Sequence, residues 1–129
     1  MKKIVNIIGG ILQNKRRLIK MTEISHENFW RGEFGNEYTD RNRCGEKMIA
    51  CRTANLAKCL SRADYINSSF EIGSNIGYNE IALQRLYPDI KMDVVELNEK
   101  AAAECSKIQN VNVHNTSIYD FCTESKFDL

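Results

Sequence analysis

Between residues 66 and 114 short apolar runs alternate with helical stretches, and this alternation constrains the fold more than any other feature of the chain. Residues 66–72 centre on Phe70 and stop at Gly73, which predicts a first strand and a tight turn. Tyr78–Leu86 reads as a helix that Pro88 stops, because proline has no N–H to donate and clashes with the preceding turn. Residues 91–97, with Met92, Val94 and Val95, predict a second strand. Asn98 is placed to cap an Ala-rich helix from Glu99 to about Ile108, and residues 111–114 predict a third strand. Strand–helix–strand–helix–strand specifies an α/β fold around a parallel sheet. Both helices are expected on one face of the sheet, with the preceding helix free to cover the other. Residues 126–129 read as the opening of a fourth strand, so the sheet is expected to be truncated after its third.

Composition bounds the partners. With 129 residues, 43% of them hydrophobic, the chain has material for about one domain and its core. A formal net charge of +1 gives none of the basic excess of a general nucleic-acid binder. No apolar run approaches the roughly 20 residues of a membrane-spanning helix.

The charge is nevertheless uneven. Lys2, Lys3, Lys15, Arg16, Arg17 and Lys20 are the only charged residues among the first twenty, leaving twelve basic and seventeen acidic residues beyond them. The apolar residues 4–12 of this stretch raise a short signal peptide, but no small-residue cleavage site follows, so it reads as a basic amphipathic helix or a basic N-terminal extension. Residues 21–43, polar, aromatic and punctuated by glycine, read as a loop or lid with a short helical turn. Residues 44–63 predict a helix with Met48, Ile49, Leu56, Cys59 and Leu60 on its apolar side and Lys47, Arg52, Lys58 and Arg62 opposite. Residues 44–129 then form a single unit, incomplete at its C-terminus.

Five cysteines, an odd number with no C-x-x-C pair, fit neither a disulfide framework nor a zinc site. A reducing, cytoplasmic location is expected, with the helical cysteines as small buried apolar residues. His26 and His114 stand far apart and read as locally satisfied side chains, so no metal is expected.

The chemistry concentrates in Phe70-Glu71-Ile72-Gly73-Ser74-Asn75-Ile76-Gly77-Tyr78-Asn79. Gly73 lets the strand turn sharply, and Gly77 lets the helix start lie close to it. The free N–H groups and positive dipole end of that helix attract an anion. Glu71 precedes the first glycine by two residues, and Glu96 ends the second strand, twenty-three residues after Gly73. A carboxylate there lies beside a ligand's ribose and accepts both hydroxyl hydrogens. A pyrophosphate site carries G-x-G-x-x-G, but here Asn75 takes the middle position and Glu71 would repel a diphosphate. A carboxylate instead suits an ammonium or sulfonium group. The combination favours S-adenosylmethionine (SAM), its carboxylate at the helix start and its ammonium at the loop carbonyls near Gly73.

Glu71-Ile72-Gly73-Ser74-Asn75-Ile76-Gly77 resembles motif I of the class I, Rossmann-like SAM-dependent methyltransferases in its E-x-G-x-N-x-G form, and Val94-Val95-Glu96-Leu97-Asn98 resembles their second motif. Asn115 to Phe121 is similar to their third-strand loop bordering the adenine, with Ser117 where many members have Asp. Residues 29–42 resemble the opening of small methyltransferases associated with pseudaminic acid biosynthesis, where this segment folds over the cofactor.

The resemblance implies a three-layer Rossmann-like fold and a family that continues well beyond residue 129. It implies Glu71, Gly73, Ser74, Asn75, Gly77, Glu96, Leu97 and Ser117 as cofactor-binding residues, with Tyr38, Arg41 and Asn42 added from the lid. It further implies a small-molecule or glycan-precursor methyl acceptor and a complementing C-terminal segment as partners. No catalytic residue is assigned. Two other readings use the same features: half of an NAD(P)-dependent oxidoreductase, and a non-catalytic nucleotide-binding remnant.

Overall fold

The computed structural model describes residues 26–129, so the reading of the first twenty residues lies outside the described part. Strands β1 (Ser68–Ile72), β2 (Lys91–Val95) and β3 (Val111–His114) form a parallel sheet in the order β1-β2-β3. The connections are helical, as parallel neighbours require. Four helices accompany the sheet: α1 (Glu33–Arg41), α2 (Gly45–Cys59), α3 (Tyr78–Leu86) and α4 (Glu99–Cys105). Residues 26–31 are also helical. Among the described residues, no helix is long and apolar enough to cross a membrane.

Register assigns the two faces of the sheet. Ser69 and Glu71 share one face with Met92, Val94, Val111 and Val113, whereas Phe70 and Ile72 share the other with Asp93, Val95 and His114. The core forms on the first face, where Met92, Ile66, Leu83 and Ile90 are buried and Leu56, Leu60 and Tyr87 pack against them. Leu56 lies on α2 and Leu83 on α3, so α2 packs beside α3 and does not cross to the other face as expected. That other face carries Phe70 stacked on Phe121 and Phe127, at centroid distances of 5.4 and 5.3 Å.

Residues 128–129 lie along the free edge of β1. Leu129 N–H donates to Ser68 O and Leu129 O accepts from Phe70 N–H, the two neighbours of Ser69, as a parallel partner does. Asp128 Oδ2 accepts from the N–H groups of Asn67 and Ser68 and from the Ser68 hydroxyl. Those bonds hold the Asp128 carboxyl below the usual carboxylate range.

The segment read as a loop is largely helical. Trp30, Phe34 and Tyr38 recur every fourth residue and form one aromatic stripe, with Trp30 edge-on to both partners at 5.3 Å. Gly35 belongs to a close contact instead of a turn: a Cβ there would lie 1.8 Å from Trp30 O and 2.8 Å from Asn98 Nδ2. Of the cysteines read as buried, Cys105 is buried, but Cys51 and Cys59 are exposed because they fall off the inward stripe of α2. Burial pushes the Cys105 thiol up to about 12, which makes it an unreactive core residue.

Candidate functional site

Two adjoining cavities open at the carboxyl ends of β1 and β2. The larger, about 410 Å³, lies between the Gly73 turn, the end of β2, the loop after β3 and the helices of residues 26–41. The smaller, about 140 Å³, lies between the Gly73–Asn79 turn, α2 and Tyr38. Tyr38, Gly73 and Asn75 border both, which makes them compartments of one cleft.

Backbone conformation opens this cleft. Gly73, Asn75 and Gly77 take φ values of +80°, +50° and +83°, the left-handed region that glycine enters freely and Asn tolerates. The two glycines serve different ends. A Cβ on Gly73 would meet no protein atom within 4 Å, so the space before it belongs to the cleft. A Cβ on Gly77 would approach Ile108 Cδ1 to 2.2 Å and Cys105 Sγ to 2.9 Å, which fixes α3 against the helix beside it. Gly77→Ala is therefore expected to lower unfolding free energy by ~2–3 kcal/mol, from backbone strain and overpacking. Gly73→Ala is expected to cost about 1 kcal/mol of strain and to act mainly on ligand binding. Urea titrations of both variants check this, and equal losses would contradict it.

Glu96 is 8% exposed and rigidly held at the rim of the larger cavity. Its Oε2 accepts from Asn75 N–H at 2.7 Å and its Oε1 from Asn98 N–H at 2.8 Å. Each carboxylate oxygen has a second lone pair, so two acceptor positions remain. Asn98 caps α4 through Oδ1, as its place in the sequence predicts, and its Nδ2 also donates to Trp30 O and Asn36 Oδ1. The helices over the cleft are tied down further by Lys100 to Asp40 at 2.7 Å and by Ser117 Oγ, which donates to Glu27 Oε1.

At the smaller cavity Arg52 Nη1 donates to Asn79 Oδ1, and Asn79 Nδ2 donates to Glu71 Oε1 at 2.6 Å. Glu71 in turn faces Glu80, which is 1% exposed. Burial, followed by the hydrogen bond and charge of Glu71, pushes the Glu80 carboxyl up to about 9. Burial beside Glu71 thus favours the neutral form of Glu80. Three buried polar atoms have no partner among the described residues: Arg52 Nε, Asn75 Oδ1 and Glu80 Oε2.

The structure brings most of the sequence-nominated residues to this cleft. Glu96, Leu97 and Ser117 line the larger cavity; Glu71, Ser74 and Asn42 line the smaller; Gly73, Asn75 and Tyr38 line both. Two stand elsewhere. Gly77 is a packing residue, and Arg41 turns outward to Glu37 at 3.7 Å and the Phe34 ring at 5.6 Å.

Arg52, read as solvent-facing, points inward instead. The signal was its i, i+4 spacing from Met48 and to Leu56, both half-buried. Glu27, Thr39 and Asn79 also border the cleft. Asn79 was within the quoted motif, but nothing in residues 26–43 set Glu27 apart.

Solved structures with a similar fold include the plantazolicin methyltransferase BpumL in complex with a pentazolic desmethylPZN analog and SAH, S-adenosylhomocysteine. It matches with a TM-score of 0.59 and 18% identity, covering 87% of this chain and 47% of its own. The sugar N-methyltransferase KedS8 from Streptoalloteichus sp ATCC 53650 matches at 0.56 and 21% identity, over 76% of this chain and 38% of its own. Streptomyces venezuelae DesVI matches at 0.54 and 17% identity, over 74% and 41%. The fold is that of the Rossmann-like methyltransferases. The present chain spans less than half the length of these structures. No family model and no curated protein matches the sequence.

Proposed function

We propose that the chain is the cofactor-binding half of a SAM-dependent methyltransferase. The observation that carries this reading is Glu96, a clamped acceptor at the end of β2 that lines the same cavity as the neighbouring open Gly73 turn. Its free lone pairs suit the two hydroxyls of a ribose, and Leu97 and Ile118 give the same cavity apolar walls for a base.

The unpartnered groups fit the rest of such a ligand. Arg52 Nε calls for an anion and Asn75 Oδ1 for a donor, and both residues border the smaller cavity. As two linings of one cavity they suit an amino-acid zwitterion. The guanidinium would take the carboxylate, in place of the helix start expected from sequence, and Asn75 with Glu71 would take the ammonium. A bound SAM supplies an electrophilic methyl on sulfur. The chain's own part is to bind and orient the ligand and to keep water out beneath the 26–41 helices.

The acceptor is proposed to be a glycan-type small molecule. Support comes from the resemblance of residues 29–42 to pseudaminic acid-associated methyltransferases and from the likeness in fold to a sugar N-methyltransferase. Five free thiols, four of them exposed, support a reducing, cytoplasmic setting.

Calorimetric titration with SAM, SAH and NAD tests the cofactor. SAM and SAH are expected to bind at least about tenfold more tightly than NAD, because the Glu71 carboxylate stands just ahead of the turn where a diphosphate would lie. Equal or tighter NAD binding would favour the oxidoreductase reading and overturn this one.

A further inference from the structure

Ser117 is 2% exposed, with its one hydroxyl proton and one of its two lone pairs committed. Tyr119 N–H donates to Ser117 Oγ at 3.0 Å, and the Ser117 proton goes to Glu27 Oε1. Glu27 lies ninety residues earlier, in the helical segment over the cleft, and both side chains line the larger cavity. Among the described residues Glu27 makes no other hydrogen bond or ion pair, so its second oxygen keeps its acceptor capacity.

We propose that Glu27, oriented by Ser117, reads the exocyclic amino group of the adenine. This rests on the reading that an adenosine-bearing methyl donor occupies the cleft. A hydroxyl alone cannot tell a 6-amino purine from a 6-oxo purine, since it donates to one and accepts from the other. Once the Ser117 proton is committed to Glu27, the choice passes to a group that only accepts. An ionised carboxylate takes a hydrogen from the amino group and repels an oxo group. The base is then selected by a residue of the covering helices, and selection operates only with those helices docked.

Titration of the full chain with SAH and with S-inosylhomocysteine, which carries oxygen in place of the amino group, tests the assignment. Wild type is expected to prefer SAH by roughly 30-fold or more, because the oxo compound leaves a carboxylate facing an acceptor. In Glu27→Gln the side-chain amide can present either its carbonyl or its NH2, and the preference is expected to fall below about threefold. Ser117→Ala, which frees Glu27 to turn, is expected to give an intermediate ratio. A Glu27→Gln protein with the wild-type preference, or a wild type with none, would overturn the proposal. If wild type bound SAH but Glu27→Gln discriminated as before, only the adenine assignment would fall; if wild type bound neither compound, the cofactor reading would fall with it.

Discussion

Replacing Glu96 by alanine is expected to weaken SAH binding by more than about 100-fold. Two hydroxyl hydrogen bonds to a charged acceptor contribute ~1.5–3 kcal/mol each, so losing both removes at least ~3 kcal/mol. The substitution also strips the acceptor from Asn75 N–H and Asn98 N–H, and the Asn75 turn loses its tether to the end of β2. Glu96→Gln separates the two effects. Its amide carbonyl can still hold one backbone N–H, but it lacks the charge and the paired acceptors that two hydroxyls require. A loss in Glu96→Gln nearly as large as in Glu96→Ala, with an unchanged circular dichroism spectrum, would assign the effect to ligand contact. Unchanged affinity in Glu96→Ala would remove this residue from the site.

Glu80 should make the fold less stable as pH rises. Its carboxyl titrates near 9 in the folded chain and near 4.5 when exposed, so between those values the folded protein holds a proton that the unfolded chain has released. Raising the pH therefore favours unfolding, and the penalty grows from about pH 4.5 and levels off above about 9. One proton of difference corresponds to a slope of up to ~1.4 kcal/mol per pH unit. Across the neutral range this amounts to a fall of roughly 5 °C in Tm per unit for a domain of this size. Glu80→Gln keeps the size of the side chain and a donor toward Glu71 but cannot ionise. It is expected to melt at a nearly constant temperature from pH 6 to 9 and to exceed wild type most at the alkaline end. Parallel Tm–pH lines for the two proteins would show that the Glu80 proton does not govern this dependence.

The interior of the fold was more legible than its cover, for physical reasons. Helix α3 and strand β3 fall where the sequence places them, because Gly77, Pro88 and the caps act through local backbone chemistry. Residues 26–41 were obscure because Gly32 and Gly35 read as loop signals, whereas Gly35 is there to admit Trp30 O and Asn98. A contact across sixty-odd residues leaves no local trace. The every-fourth spacing of Trp30, Phe34 and Tyr38 did carry the helical signal, but turn-forming neighbours masked it. Arg52 shows the converse: its charge suggested solvent, while its position on α2 aims it at Asn79. Ser117 was singled out within its own loop, yet the carboxylate it donates to, Glu27, lies ninety residues earlier, where no local pattern could link the two.

Leu129 lies along the edge of β1 opposite β2, so the chain that stepped outward from β1 to β3 has doubled back across the sheet. Where such a reversal occurs, connections leaving adjacent strand ends are drawn to opposite sides and a crevice opens between them. The Gly73 end of β1 sits at that divide. The opening thus comes from the order in which the strands were laid down, independent of the side chains that border it. A lineage could exchange those bordering residues freely and accept new molecules for modification without having to invent the groove again.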